Sequence, residues 1–170
     1  MRPTTALARA ARDASPEAVA RAMRILLAAE GPASVTDPAA AAAVALAHLE
    51  GRESEALVCI ALDRRRRVVE SDVLTVGSSG FTVVDTAQIF RWALTRARAV
   101  SAIILAHNHP SGDPTPSSQD REVTSRVASA GSVVGVTLLD HLVVVDGGRW
   151  HSMAADGFIP NFRAPAGWTG

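Results

Sequence analysis

The chain has 170 residues, 48% of them apolar, and its 17 basic and 17 acidic side chains leave no net charge. That is the size and apolar content of one domain with its own core, and a chain without basic excess has no global attraction for a nucleic-acid backbone. Every basic residue is an arginine, which excludes a lysine nucleophile or Schiff base, and the single cysteine, Cys59, excludes a disulfide framework or a Cys-rich zinc site.

The first fifty residues carry two helix patterns. "SPEAVARAMRILLAAEG" has Ser15 as N-cap, Pro16 at the first helical position and Gly31 past the end, and "DPAAAAAVALAHLEG" repeats the layout with Asp37, Pro38 and Gly51. Three arginines, Arg2, Arg9 and Arg12, precede them without a signal-peptide layout, and no segment approaches about 20 apolar residues. A soluble cytoplasmic protein with no membrane contact is expected. From Glu55 onward, "ALVCIAL", "DRRRR" and "VVESDVLTV" read as two strands around a charged turn, with Cys59 buried and Arg64 to Arg67 as a solvated tip.

"DTAQIFRWALTRARA" predicts a helix capped by Asp85, with Ile89, Phe90, Ala93, Leu94 and Ala97 on its apolar face. "SAIILA" predicts a short strand buried on both faces. After it, "SSQDREVTSRVASAG" suits a helix closed by Gly131, and "GVTLLDHLVVVDGGRWHSM" suits a strand, a turn at Asp146 to Gly148 and a returning strand. The Pro- and Gly-rich tail from about Phe158 is expected to be extended or mobile.

The segment between strand and helix, "AHNHPSGDPTPSSQD", carries the chemistry. His107 and His109 stand two apart, so a strand running through them sends both imidazoles to one face, as a chelating pair requires. Two neutral imidazoles suit zinc. With Thr115 as N-cap and Pro116 opening a helix, Ser117 and Asp120 fall three apart on one helical face, so Asp120 can supply a third ligand. Three protein ligands leave one coordination position open, the mark of a catalytic rather than a structural zinc. Such a site needs a glutamate outside the ligand set to move protons, and the candidates are Glu50, Glu53, Glu55, Glu70 and Glu122. Glu55 opens a strand able to lie beside "SAIILA", and Ser117 can donate to an oxyanion.

The spacing His107, His109, Pro110, six residues, Ser117, two residues, Asp120 resembles the JAMM signature of JAB/MPN metalloenzymes, and "LAHNHPSGDPTPS" with "LLDHLVV" downstream is closest to the RadC group. In that group a glutamate opens a strand that ends in an aspartate eight residues on; Glu55 and Asp63 in "EALVCIALD" reproduce this and select Glu55 over Glu53. The resemblance covers about residues 34 to 158. It implies an α/β (α+β type) fold of the cytidine-deaminase-like JAB/MPN kind, with a mixed central sheet flanked by helices. It further implies one Zn2+ on His107, His109 and Asp120, with Glu55 as general acid/base and Ser117 as oxyanion support. The implied reaction is hydrolysis of peptide or isopeptide bonds, with a peptide or ubiquitin-like protein as substrate. The division expected is a helical segment 1–33, the RadC-like domain 34–158 and a tail 159–170. RadC relatives usually carry a helix-hairpin-helix module with a G-x-G-type turn ahead of this domain. Residues 1–33 hold only Gly31, so nucleic-acid binding through them is not expected, and they are candidates for packing on the domain or forming a homodimer.

Three function classes compete: a zinc hydrolase, a nuclease or DNA-repair protein, and a non-catalytic MPN binding module. The contiguous letters H-N-H are not the H-N-H nuclease motif, which spreads over two strands and a helix, and an intact Glu, His, His, Ser and Asp set argues against the non-catalytic module. A nucleobase deaminase needs a P-C-x-x-C pair that one cysteine cannot supply. Asp140 and His141 are read as core residues satisfying each other in preference to supporting a ligand. His48 and His151 default to surface or packing, Asn108 to a structural role facing away from the histidines, and Asp113 to a turn former.

Overall fold

The computed structural model describes residues 34–76, 85–96, 99–160 and 168. The helix expected over 15–31, together with the whole of segment 1–33, lies outside the described residues.

Helix α1 (Pro38–Leu49) begins as its sequence requires: the Asp37 carboxylate accepts from the Ala40 amide at 2.8 Å, and Pro38 occupies a first-turn position where no backbone donor is lost. Strands β1 (Ala56–Leu62) and β2 (Val68–Val76) form the expected hairpin. Asp63 organises its tip by accepting from the amides of Arg65 and Arg67 at 2.8 and 3.0 Å and from Arg67 Nε at 2.8 Å. Arg64, Arg65 and Arg67 are solvated there, as expected.

Helix α2 (Thr86–Arg96) follows Asp85, whose carboxylate accepts from the Ala87 amide at 2.9 Å. Its buried stripe is Ile89, Phe90, Trp92 and Ala93, whereas the predicted Leu94 is 54% exposed. Positions i+3 and i+4 from Ile89 are 92 and 93, and one further step turns residue 94 away from the core.

Strand β3 (Ala102–Asn108) is buried throughout, as a strand covered on both faces should be. Helix α3 (Ser118–Val134), strand β4 (Thr137–Val145) and strand β5 (Arg149–Ser152) complete the domain. The five strands form one mixed sheet in the order β2-β1-β3-β4-β5, in which only β3 and β4 run parallel, joined by the α3 crossover.

The ladder assigns the faces. Ser71 of β2 is level with Ile60 and Ile104, and it bonds His48 of α1 at 2.9 Å, so α1 covers the face shared by Ile104, Ala106 and Asn108. The opposite face, carrying Leu105 and His107, is covered by α3, whose Thr124 reaches β4 there. Among the described residues, no helix is long and apolar enough to cross a membrane.

Two expectations about chain punctuation fail. Helix α3 runs through Gly131 to Val134 and ends at Gly135, whose φ of 76° suits the left-handed cap conformation. Gly131 is instead a contact glycine: a Cβ there would lie 2.4 Å from the Val136 carbonyl oxygen and 3.3 Å from Phe90 Cζ. The tail is also anchored, since Ile159 and Trp168 are buried and the Trp168 indole donates to Asp140 at 3.1 Å. Residues 161–167 lie outside the described residues.

Gly131→Ala should therefore destabilise the domain by about 1–3 kcal/mol through overpacking, although alanine is the better helix former. Equilibrium denaturation that finds the variant equal to or more stable than wild type would contradict the contact.

Candidate metal centre

Strand alternation brings the two histidines together. His107 lies in β3, and His109 extends the ladder past its end, its amide donating to the Val144 carbonyl at 3.0 Å. Both rings emerge on the α3 side, with their Nε2 atoms 3.0 Å apart. Glu55, immediately before β1, reaches them because β1 runs antiparallel to β3 with Leu57 level with His107. Glu55 is two residues from Leu57 and so shares its face. Its Oε1 lies 4.0 Å from His107 Nε2.

Asp120 comes from the first turn of α3. The predicted start at Thr115 and Pro116 is displaced by two residues: Ser117 is the N-cap and Ser118 the first helical residue. The Thr115 amide is already engaged by the Asp113 carboxylate at 2.9 Å, which makes 113–115 a turn. Ser117 and Asp120 then form a reciprocal capping box, with the Ser117 amide donating to Asp120 Oδ2 at 2.7 Å and the Asp120 amide to Ser117 Oγ at 3.2 Å. The Ser117 hydroxyl also donates to Asp120 Oδ2, at 2.6 Å. In this structure Ser117 thus holds the carboxylate of Asp120 in place. The other oxygen, Asp120 Oδ1, lies 3.3 Å from His107 Nε2, and Oδ2 lies 3.7 Å from His109 Nε2.

Donor atoms of Glu55, His107, His109 and Asp120 all lie within 4.8 Å of one another. A tetrahedral ion with arms of about 2.0–2.1 Å spaces its ligands about 3.3–3.4 Å apart. The Nε2 atoms of His107 and His109 stand 3.0 Å apart, and the Asp120 oxygens lie 3.3 Å (Oδ1 to His107) and 3.7 Å (Oδ2 to His109) from them, all near that spacing; two imidazoles with one carboxylate are a donor set such an ion takes. These three residues could hold a metal ion, with Glu55 beside it. Of the other glutamates considered, Glu122 pairs with Arg126 on the exposed side of α3, and Glu50, Glu53 and Glu70 do not join the cluster.

Electrostatics fit the arrangement. Burial pushes the Asp120 carboxyl up, but its contacts with His107 and His109 when those rings are protonated, the charge of His107 and the Ser117 hydroxyl outweigh it and hold the group far below the ordinary carboxylate range. The Asp120 carboxylate in turn raises His109 against the lowering effect of burial. His109 Nδ1 lies 2.8 Å from the Asp113 carbonyl, which can only accept, so in the neutral ring that nitrogen carries the proton and Nε2 keeps its lone pair for the cluster. Asp113 is the turn former expected, and its backbone also aims a ring.

Two side chains have larger roles here than their sequence context suggested. Asn108, opposite the histidines, accepts from the Ala56 amide at 2.8 Å and donates to the carbonyls of Arg52 and Ser54 at 3.2 and 3.1 Å. It thereby fixes the backbone on both sides of Glu55. His141 does not pair with Asp140. Its Nε2 lies 2.9 Å from His107 Nδ1 and its Nδ1 lies 2.7 Å from the Thr124 hydroxyl, while Asp140 on the other face accepts from Ser152, Trp168 and the amides of His141 and Ala154.

Strand alternation separates the two, and a bulge decides which faces the cluster: Ile103 is level with Leu138 but Ile104 with Asp140, so the extra residue Leu139 in β4 turns His141 toward the α3 side. Sequence alone does not place that bulge. The available signal was Thr124, four residues after Asp120 and hence on the same side of α3.

The remaining histidines lie outside the cluster, with His48 bonded to Ser71 and His151 to Asp156 at 2.7 Å.

Burial, with the charge of His107, lowers His141 from the ordinary 6.5 to about 3. Between those values the unfolded chain binds the extra proton, so His141 costs the fold stability as pH falls below about 6.5, by up to about 1.4 kcal/mol per pH unit. His109, raised in the fold, acts in the opposite sense: its contribution is complete below 6.5 and fades as pH rises through its folded value. Buried Asp140, also raised, opposes His141 at the acid end. Denaturation of metal-free protein at pH 7 and pH 5 should therefore show a smaller loss for His141→Gln than for wild type, and equal losses would remove His141 as the source. Independently, Asn108→Ala leaves the Ala56 amide without its acceptor and should cost about 1–3 kcal/mol in urea denaturation.

The chain matches the RadC-like JAB domain family over residues 35–158. It is 36% identical over 107 residues to a UPF0758 protein of Methanococcoides burtonii, which covers 63% of this chain and 45% of that protein. A UPF0758 protein of Caldanaerobacter subterraneus is 34% identical over 131 residues, or 76% and 55% of the two chains. One of Thermotoga maritima is 46% identical over 92 residues, or 54% and 40%. The chain spans about half the length of the curated relatives it matches.

Proposed function

This chain belongs to the RadC-like JAB domain family, and on that premise we propose that it is a zinc-dependent hydrolase of the JAMM type, acting on peptide or isopeptide bonds. The observation that carries the reading is the convergence of two imidazoles, one carboxylate and a separate glutamate within 4.8 Å, from three different parts of the chain. His107 Nε2, His109 Nε2 and one oxygen of Asp120 would hold the ion. When bound, zinc supplies Lewis acidity, which makes water a nucleophile near neutral pH and polarises a carbonyl.

The chain's own residues supply the rest. Glu55 Oε1 accepts the proton of the attacking water and returns it to the leaving nitrogen, so that one carboxylate serves first as base and then as acid. Asn108 keeps that carboxylate in place through the backbone on either side of it. Ser117, whose hydroxyl donates to Asp120 Oδ2, is the proposed donor to the oxyanion of the addition step, a role for which the hydroxyl turns from Asp120 to the oxyanion.

The substrate proposed is a peptide or a ubiquitin-like protein tail, and the setting proposed is the cytoplasm. Against a non-catalytic binding module stands Glu55, which a metal clip would not need. The zero net charge gives no support to a nuclease or DNA-repair reading.

Metal analysis of protein purified without chelator should find about one zinc per chain, lost in His107→Ala and Asp120→Ala and retained in Glu55→Gln. Glu55→Gln should abolish cleavage of a peptide or isopeptide substrate while the protein still melts as a folded, zinc-loaded domain. Failure of wild type to take up zinc would refute the site, and full turnover by Glu55→Gln would refute the proton carrier.

A further inference from the structure

His109 is aimed by a single carbonyl, but His107 has no such contact. Its Nδ1 faces His141, and behind His141 a chain of hydrogen bonds runs back to the helix that supplies Asp120. The Thr124 hydroxyl lies 2.6 Å from the Asp120 carbonyl oxygen and 2.7 Å from His141 Nδ1, and His141 Nε2 lies 2.9 Å from His107 Nδ1. Thr124 is 0% exposed and His141 1%, so water cannot substitute for any link.

The direction of every proton follows from the carbonyl. It can only accept, so the single hydroxyl proton of Thr124 is committed to it; Met153 Sδ at 3.4 Å is a longer and weaker acceptor. Thr124 Oγ1 must then accept from His141, which places a proton on His141 Nδ1. With its other nitrogen bare, His141 Nε2 accepts in turn from His107 Nδ1. His107 is left with its lone pair on Nε2, the atom 3.3 Å from Asp120 Oδ1 and 3.0 Å from His109 Nε2. The reverse arrangement needs a proton on both nitrogens of His141, a cation inside the core with the adjacent Asp140 carboxylate turned to the other face of the sheet.

We infer that Thr124 and His141 are positioning residues that set the tautomer of His107, delivering its Nε2 lone pair to the metal-binding cluster from an anchor on the Asp120 carbonyl. The relay starts and ends on proposed ligands: Asp120 contributes its carboxylate to the cluster and its backbone oxygen to the orientation of His107. This rests on the reading of the cluster as a metal centre.

The test uses the full chain, labelled with 15N and free of metal, and reads the ring tautomers by long-range proton–nitrogen correlation. His107 and His141 should both appear as Nδ1–H tautomers in wild type and in Thr124→Ser, whereas Thr124→Val should lose the defined tautomer at His107. In competition with a chromophoric chelator, Thr124→Val should bind zinc about 10–100-fold more weakly than wild type, and Thr124→Ser should match wild type. An Nε2–H tautomer at His107 in wild type overturns the relay, as does a Thr124→Val protein that keeps both tautomer and zinc affinity. The wild-type spectrum decides the matter even if Thr124→Val does not fold. Wild type that shows the expected tautomers but takes up no zinc would overturn the metal-centre reading and leave the relay standing.

Discussion

The pleat at the end of β3 is the constraint on which the site depends. Successive residues of a strand face opposite ways, so His107, Asn108 and His109 serve two different purposes from three adjacent positions. The outer pair faces α3 and forms half of the cluster. The middle residue faces α1 and holds the backbone of residues 52–56 with three hydrogen bonds, which brings Glu55 to the same point from the neighbouring strand. One residue more or less in this stretch would exchange the two faces and separate the glutamate from the histidines.

The third donor comes by a different route. Asp120 is placed by a helix start, and the capping box that begins α3 also orients the carboxylate. Local stability and site geometry are therefore coupled, because the residue satisfying the helix's free amide is the one holding Asp120. The crossover α3 joins parallel strands that are neighbours in the sheet, which puts the helix N-terminus beside the end of β3. A connection between antiparallel neighbours would need no helix there.

Burial divides the polar residues of β4 into two groups. Asp140 is satisfied by four donors on one face, where it also secures Trp168 of the tail, and His141 is satisfied by Thr124 and His107 on the other. Each is costly to bury alone, and although the His141 amide donates to Asp140, the two side chains do not pair. The pleat makes this division, and the bulge opposite Ile103 and Ile104 decides which of the two residues faces α3.

Much was legible in the sequence because it depends on short-range rules. Apolar runs and caps marked the strands and helices α1 and α2, alternation put His107 and His109 on one face, and the spacing to Asp120 together with a strand opening at Glu55 pointed to a shared site. What failed locally also had local competitors: Thr115 lost the N-cap because Asp113 claimed its amide, and Gly131 resembled a helix end while serving as a contact. The partnership of His141 with His107, the clamp of Asn108 on the segment around Glu55 and the anchoring of Trp168 were decided only by the tertiary structure. Each joins residues more than 25 positions apart, across strands whose register rests on pairing and a bulge that no short window of sequence contains.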